Sequence, residues 1–182
     1  NTGGTLLKGQ EVRHCVYAGS FNDLLHELND NENWRKILGK KQLETHMRDQ
    51  ELILRFFALK ETSSSYKNTM KEFLSGFMSK RKDASEQMIG QYRTLFLTVV
   101  SDVFAWLGEK PFHIHKGFNA AVYDAVFVAL AGANPIPPDI RERYKTLKQD
   151  KEFMDCTISG TMAEGVVKRR IARAQTVLLG RG

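Results

Sequence analysis

An all-α fold, an irregular multi-helix bundle of about six to nine helices, is what this sequence predicts. Apolar residues recur at helical spacing almost throughout, and no alternating strand of useful length occurs. The longest apolar pattern also outlasts any usual strand before it stops at a glycine. With 182 residues, 42% of them hydrophobic, the chain can bury a real core. Charge interrupts every apolar run before the roughly 18 to 20 residues that a bilayer span needs, so no membrane partner is expected.

Each element has its own signal. Phe21, Leu24, Leu25 and Leu28 stand at i, i+3, i+4 and i+7, the pattern of one buried helical stripe. Leu52, Ile53, Phe56 and Phe57 repeat it between Asp49 and Lys60, and the polar run Thr62 to Ser65 closes that segment. Met70, Phe73, Leu74, Phe77 and Met78 form a third stripe. The central helix runs from Met88 through Tyr92, Phe96, Val99, Val100, Val103 and Phe104 to Leu107, then Gly108 and Pro111 end it. Phe118 to Ala131 is apolar nearly all round, which predicts a buried helix ended by Gly132 and the loop Asn134 to Pro138. Asp139 stands where an N-cap belongs for a charged helix reaching about Lys148, and Thr161, with Glu164 three residues on, does so for the last helix. Val99 to Leu107 and Val122 to Ala129 are the expected core.

Charge and cysteine content bound the function only loosely. Lys and Arg number 27 against 21 Asp and Glu, a net charge of +6 that permits an anionic partner. The two cysteines, Cys15 and Cys156, are too few for a disulfide scaffold and point to a reducing, cytoplasmic setting in which both are inert. The chain opens at Asn1, without methionine, on the turn-forming run Asn-Thr-Gly-Gly-Thr, and is read as part of a longer protein.

That opening is also the most informative stretch. Gly3 and Gly4 ahead of a helix leave backbone N–H groups able to cradle a phosphate, with Arg13 on the helix that follows. A tight turn with a helix cap accounts for the same glycines. Asn1-Thr2-Gly3-Gly4-Thr5, then Gly9-Gln10-Glu11-Val12-Arg13 and Tyr17 to Leu25, resembles the second half of the ParB/sulfiredoxin-like N-terminal domain of the GmrSD-type restriction endonuclease family. The family pattern is Phe-x-x-x-Asn-Thr-Gly-Gly-Thr-Pro-Leu followed by Gln-Glu-Ile-Arg-Asn; here Leu6 replaces the proline and His14 the asparagine. More loosely, Phe118 to Ala125 resembles the family's Asn-x-Ala-Leu-Phe-Glu-Ala run.

The resemblance implies that residues 1–28 end a ParB-like domain and residues 29–182 form a helical C-terminal domain. It implies a part of a DNA-restriction or phage-defence protein that supports a nucleotide-dependent nuclease domain and contacts DNA. Nucleotide contacts would fall to Asn1, Thr2, Gly3, Gly4 and Arg13, with a nucleoside triphosphate and a divalent metal as cofactors of the full-length protein. The family's Asp-Gly-Gln-Gln-Arg motif is absent from this chain, so the chain alone is expected to be catalytically inactive. Its partners would be DNA, the N-terminal part of the same protein and a second copy in a homodimer.

The remaining constellations are weaker. Lys168, Arg169, Arg170 and Arg173 crowd the last helix, and Arg169, Arg170 and Arg173 are read as one exposed stripe for phosphates, opposite Val167, Ile171, Ala174 and Leu178. Lys80-Arg81-Lys82 adds a second patch, though solvated surface explains both equally. His113-Ile114-His115 lacks a third ligand at metal-binding spacing. Asp102 and Asp124 interrupt apolar helices, and a buried partner such as Arg93 or a helix end explains each. A helical interaction or dimerisation module without catalysis is the alternative reading.

Overall fold

Phe21, Leu24, Leu25 and Leu28 are all buried, and the helix that carries them is one of ten α-helices in the computed structural model, which describes residues 7–67, 69–114 and 117–180. In chain order these are α1 (Gly9–Val16), α2 (Ser20–Asn29), α3 (Glu32–Leu38), α4 (Arg48–Thr62), α5 (Met70–Arg81), α6 (Glu86–Leu107), α7 (Ala120–Leu130), α8 (Ile140–Gln149), α9 (Lys151–Asp155) and α10 (Glu164–Leu179). The all-α expectation holds. The count exceeds it because α3 and α9 are too short, at 7 and 5 residues, to show a full apolar period. A two-residue antiparallel ladder, β1 (His113–Ile114) with β2 (Gly117–Phe118), is the strand structure among the described residues.

Helix α7 is the axis of the bundle. Every residue from Ala121 to Leu130 is buried, because α4, α6 and α10 all pack against it. Its start is fixed by Asn119, whose side-chain oxygen accepts from the N–H groups of Ala121 and Val122 at 3.0 and 3.1 Å. Phe118 therefore belongs to β2 and not to the helix. Around Phe127 gather Trp34, Phe56, Phe96, Phe112 and Tyr123, with ring centroids 4.6 to 6.2 Å away.

Helix α3 ends in a Schellman turn. Gly39 takes φ +69°, its N–H donates to Lys36 O, and Lys40 N–H reaches Arg35 O. The Lys110 side chain lies across Gly39 so closely that any Cβ there would collide with it. A polar network ties α3 to α4. Asn29 accepts from Trp34 Nε1 at 3.0 Å and from Arg35 Nη1 at 3.1 Å, and the same Nη1 donates to Asp49 at 2.7 Å. Burial alone would raise the Asp49 carboxyl; hydrogen bonds from Asn29, Arg35 and the Glu44 and Gln50 amides outweigh it, so its pKa is lowered.

Two expectations are corrected. Phe104 is only partly buried, packed under the Lys36 ammonium 5.5 Å from its ring. The last helix begins at Glu164 with Ala163 at the N-cap, and Thr161 instead offers its carbonyl to Arg170. Residue 28 lies within α2, whose Phe21 to Leu28 stripe shares one continuous core with α4 to α7.

Tyr92 on α6 gives a pH-dependent readout of this core. Its ring packs against Phe21 and Phe57, and its hydroxyl accepts from Arg81 Nε at 2.6 Å. Burial, followed by the Glu61 carboxylate, pushes its pKa from 10.0 up to about 12. A phenol whose folded pKa is raised stabilises the fold fully below its unfolded pKa and loses that contribution as pH climbs through the folded one. The stability difference between the native protein and Tyr92→Phe should therefore shrink as pH rises from 10.0 to about 12, measured by urea unfolding. A difference flat across that window would refute it.

Candidate functional site

The basic residues of α10 do not form the expected stripe. Arg170 is fully buried, a correction that helical geometry explains: it stands three residues after Val167 and four before Ala174, on the stripe that packs against α7. Lys168 is held by Glu164 at 2.6 Å. Arg173 reaches Asp150 at 2.5 Å and Glu152 at 3.4 Å. Arg169 is left exposed and without an ion pair among the described residues. The second patch is partly spent as well, since Arg81 pairs with Glu61 and lies 3.8 Å over the Phe77 ring, and Lys82 stands 3.7 Å from Asp83.

Arg13 lies on α1 but is also buried. Its Nε donates to Gln10 at 2.8 Å and its guanidinium pairs with Glu51 of α4, which turns it into the bundle. Asn1, Thr2, Gly3 and Gly4 lie outside the described residues, as does His115. His113 is exposed on β1. Asp124 is engaged by Arg55 and Arg170, whereas Arg93 pairs with Glu27. Asp102 is half-buried, its pKa raised by burial. Among the described residues, no group of three His, Cys, Asp or Glu side chains could hold a metal ion. None of the described helices is long and apolar enough to cross a membrane.

Positive charge also collects where the end of α6, the turn before β1 and the outer face of α8 meet. Ile140, Tyr144 and Leu147 bury one side of α8, which sends Arg141, Lys145 and Lys148 outward along the other at i, i+4 and i+7. These three, with Lys110 and His113, line a cleft of about 420 Å³ floored by Trp106, Leu107, Pro111 and Tyr144, and no carboxylate among the described residues lines it. Lys110 also belongs to an adjoining cleft of about 480 Å³ that Lys36, Lys40 and Lys41 share with Asp30, Glu32 and Glu109.

The geometry of this face is fixed by several contacts. Lys110 takes a left-handed conformation at φ +52° and donates its N–H to Lys36 O at 3.3 Å, joining the two clefts. Tyr144 donates its hydroxyl to Pro111 O at 2.7 Å. Arg141 donates to the carbonyls of Trp106 and Ala105 at 2.6 and 3.2 Å, where the α6 dipole is negative. Lys145 bonds Glu142 at 2.8 Å across exposed surface, a weak tie. Lys148 lies 4.9 Å from the Tyr144 ring centre. The pKa of His113 is lowered, first by the partial desolvation of its largely exposed ring and then by the Lys110 charge, with a hydrogen bond to the Lys110 backbone opposing and the Lys40 charge adding to the shift. An anion in the cleft would reverse the charge component of that shift.

One signal for this face was present in the sequence: Arg141, Lys145 and Lys148 share a helical line that flanks the apolar line of Ile140, Tyr144 and Leu147. Lys110, His113 and Lys36 join it only through the tertiary fold. No protein-family model, curated protein or solved structure matches this chain.

Proposed function

We propose that this chain is a non-catalytic helical domain that contacts the phosphate backbone of DNA through the α6–α8 cleft. The observation that carries the reading is the lining of that cleft, five basic side chains with no carboxylate among the described residues that line it. The wider setting is the C-terminal helical part of a GmrSD-like restriction or phage-defence protein, supporting a nucleotide-dependent nuclease domain. That setting rests on the motifs at residues 1–25 and, more loosely, on the run Phe118 to Ala125.

Backbone contact of this kind is weak, indifferent to sequence and steeply reduced by salt, because each neutralised phosphate releases condensed counterions. Fluorescence anisotropy with a labelled duplex across a salt series tests it. Charge reversal at Lys145 and Lys148 should flatten the salt slope by about one unit per lost contact. The same reversal at Lys80 and Lys82 should leave it unchanged. Equal losses at both pairs, or no association at low salt, would defeat the proposal.

The second reading, a docking or dimerisation module, is favoured by a different surface. Leu7, Val12 and Val16 are 58%, 44% and 62% exposed on and just before α1, an apolar strip turned away from the core.

A further inference from the structure

Independently of the DNA reading, we propose that Arg55 and Arg170 form a buried binding site for a phosphate-class oxyanion, covered by the segment 156–163.

The charges inside the bundle do not balance. Arg13 pairs with Glu51, Glu51 stands one helical turn before Arg55 on α4, and Arg55 grips Asp124 through both Nε and Nη2. Arg170 completes the row, giving three guanidinium groups against two carboxylates. Arg55 and Arg170 are 4% and 0% exposed and Asp124 is 0% exposed. An uncompensated cation at that depth is costly, and nature retains one mainly where something neutralises it.

The unused donors have the right shape. Arg170 Nη1 donates to the carbonyls of Cys156 and Thr161 at 3.2 and 2.8 Å. Its Nε and Nη2 are buried and have no hydrogen-bond partner among the described residues. These two nitrogens make up the side-on edge of the guanidinium, the edge with which Arg55 holds Asp124, and it matches two oxygens of a phosphate or carboxylate. Asp124 Oδ2 stands 3.5 Å from Nη2, beyond good hydrogen-bond length, so this one carboxylate is shared between Arg170 and Arg55, which donates to both of its oxygens. A singly charged oxyanion on the open edge would bring the five-group row to neutrality.

The cover is lightly held. Cys156 and Thr157 are buried and bonded to the end of α9, whereas Ile158 and Met162 are 71% and 39% exposed, so the stretch from 158 onward has little apolar anchorage of its own. Side chains of the bundle reach the segment through the two carbonyl bonds from Arg170, the Tyr66 hydroxyl to Met162 O at 2.6 Å and Asn119 Nδ2 to Thr157 O at 3.3 Å. The Met162 sulfur, a weak acceptor, lies 3.8 Å from Arg55 Nη2. Few buried apolar contacts and short backbone ties mark a segment that opens at low cost.

Inorganic phosphate titrated by calorimetry at constant ionic strength, with chloride as the balancing ion, tests the site. One phosphate per chain should bind saturably, with altered hydrogen exchange at residues 158–163. Arg170→Met should abolish binding and keep or raise the thermal midpoint, since it removes one of two buried cations that share a single carboxylate and leaves Asp124 paired with Arg55. Arg170→Lys keeps the cation but loses the two-pronged edge, and should weaken binding by about tenfold or more. Lys145→Glu with Lys148→Glu should leave phosphate binding intact, which separates this site from the surface cleft. Displacement of phosphate by a nucleoside triphosphate would assign the site to nucleotide-borne phosphate, and its failure to the free ion; both support it. No saturable binding to the native protein, or binding retained in Arg170→Met or undiminished in Arg170→Lys, overturns the proposal.

Discussion

Asp124→Ala should destabilise the protein by about 3 to 5 kcal/mol, the range for breaking a buried ion pair by removing one partner. The variant leaves the guanidinium groups of Arg55 and Arg170 together in the bundle interior with no carboxylate between them. Burial disfavours both cations. It lowers the Arg170 pKa outright, whereas on Arg55 the Asp124 carboxylate more than offsets it and the pKa ends up raised. Against a typical total stability of about 5 to 15 kcal/mol, such a loss leaves a marginal or unfolded domain. Replacing Arg170 by methionine on the Asp124→Ala background should recover part of the loss, because one of the two unpaired charges then disappears. Chemical denaturation of the three variants checks this, and a loss within about 1 kcal/mol for Asp124→Ala would refute it.

The second large effect belongs to Phe127. Its ring is fully buried and meets five other aromatic rings, from Trp34 on α3 to Phe112 before β1, so truncation to alanine leaves a cavity that no single neighbour can fill. Phe127→Ala should cost about 3 to 5 kcal/mol. Phe104→Ala is the internal comparison: the sequence pattern makes Phe104 as deep as Phe127, but the ring is half-buried beneath Lys36, and its loss should be clearly smaller. Equal unfolding midpoints for the two variants would mean that the end of α6 is packed as tightly as the middle of α7.

The positions where the sequence misled share a cause. Apolar spacing places Phe21, Leu24, Leu25 and Leu28 correctly because a stripe repeated over two turns has one way to be buried. Arg170 obeys the same geometry, on the line of Val167 and Ala174, yet a charged side chain among basic neighbours reads as surface unless a buried carboxylate is known to await it. Asp124 shows the converse: one acid in an apolar helix implies a partner, but its partners lie 69 residues before it, in Arg55, and on the last helix. Thr161 and Glu164 have the spacing of a capping box, yet the helix begins at Glu164 with Ala163 at the N-cap, and the Thr161 carbonyl accepts from Arg170 Nη1.

The sequence by itself determined the helical class, the buried face of most long helices and the dominance of the Val122 to Ala129 segment, because helix periodicity and burial are local properties written at 3.6-residue spacing. Charge function was decided only by the tertiary structure. Coulomb pairing depends on distances of a few ångströms between groups far apart in the chain, and those distances neutralise Lys168 and Arg173 and bury Arg13 and Arg170. The same distances set Lys110, Lys148 and Lys145, which also meets Glu142, around a cleft that no carboxylate lines among the described residues.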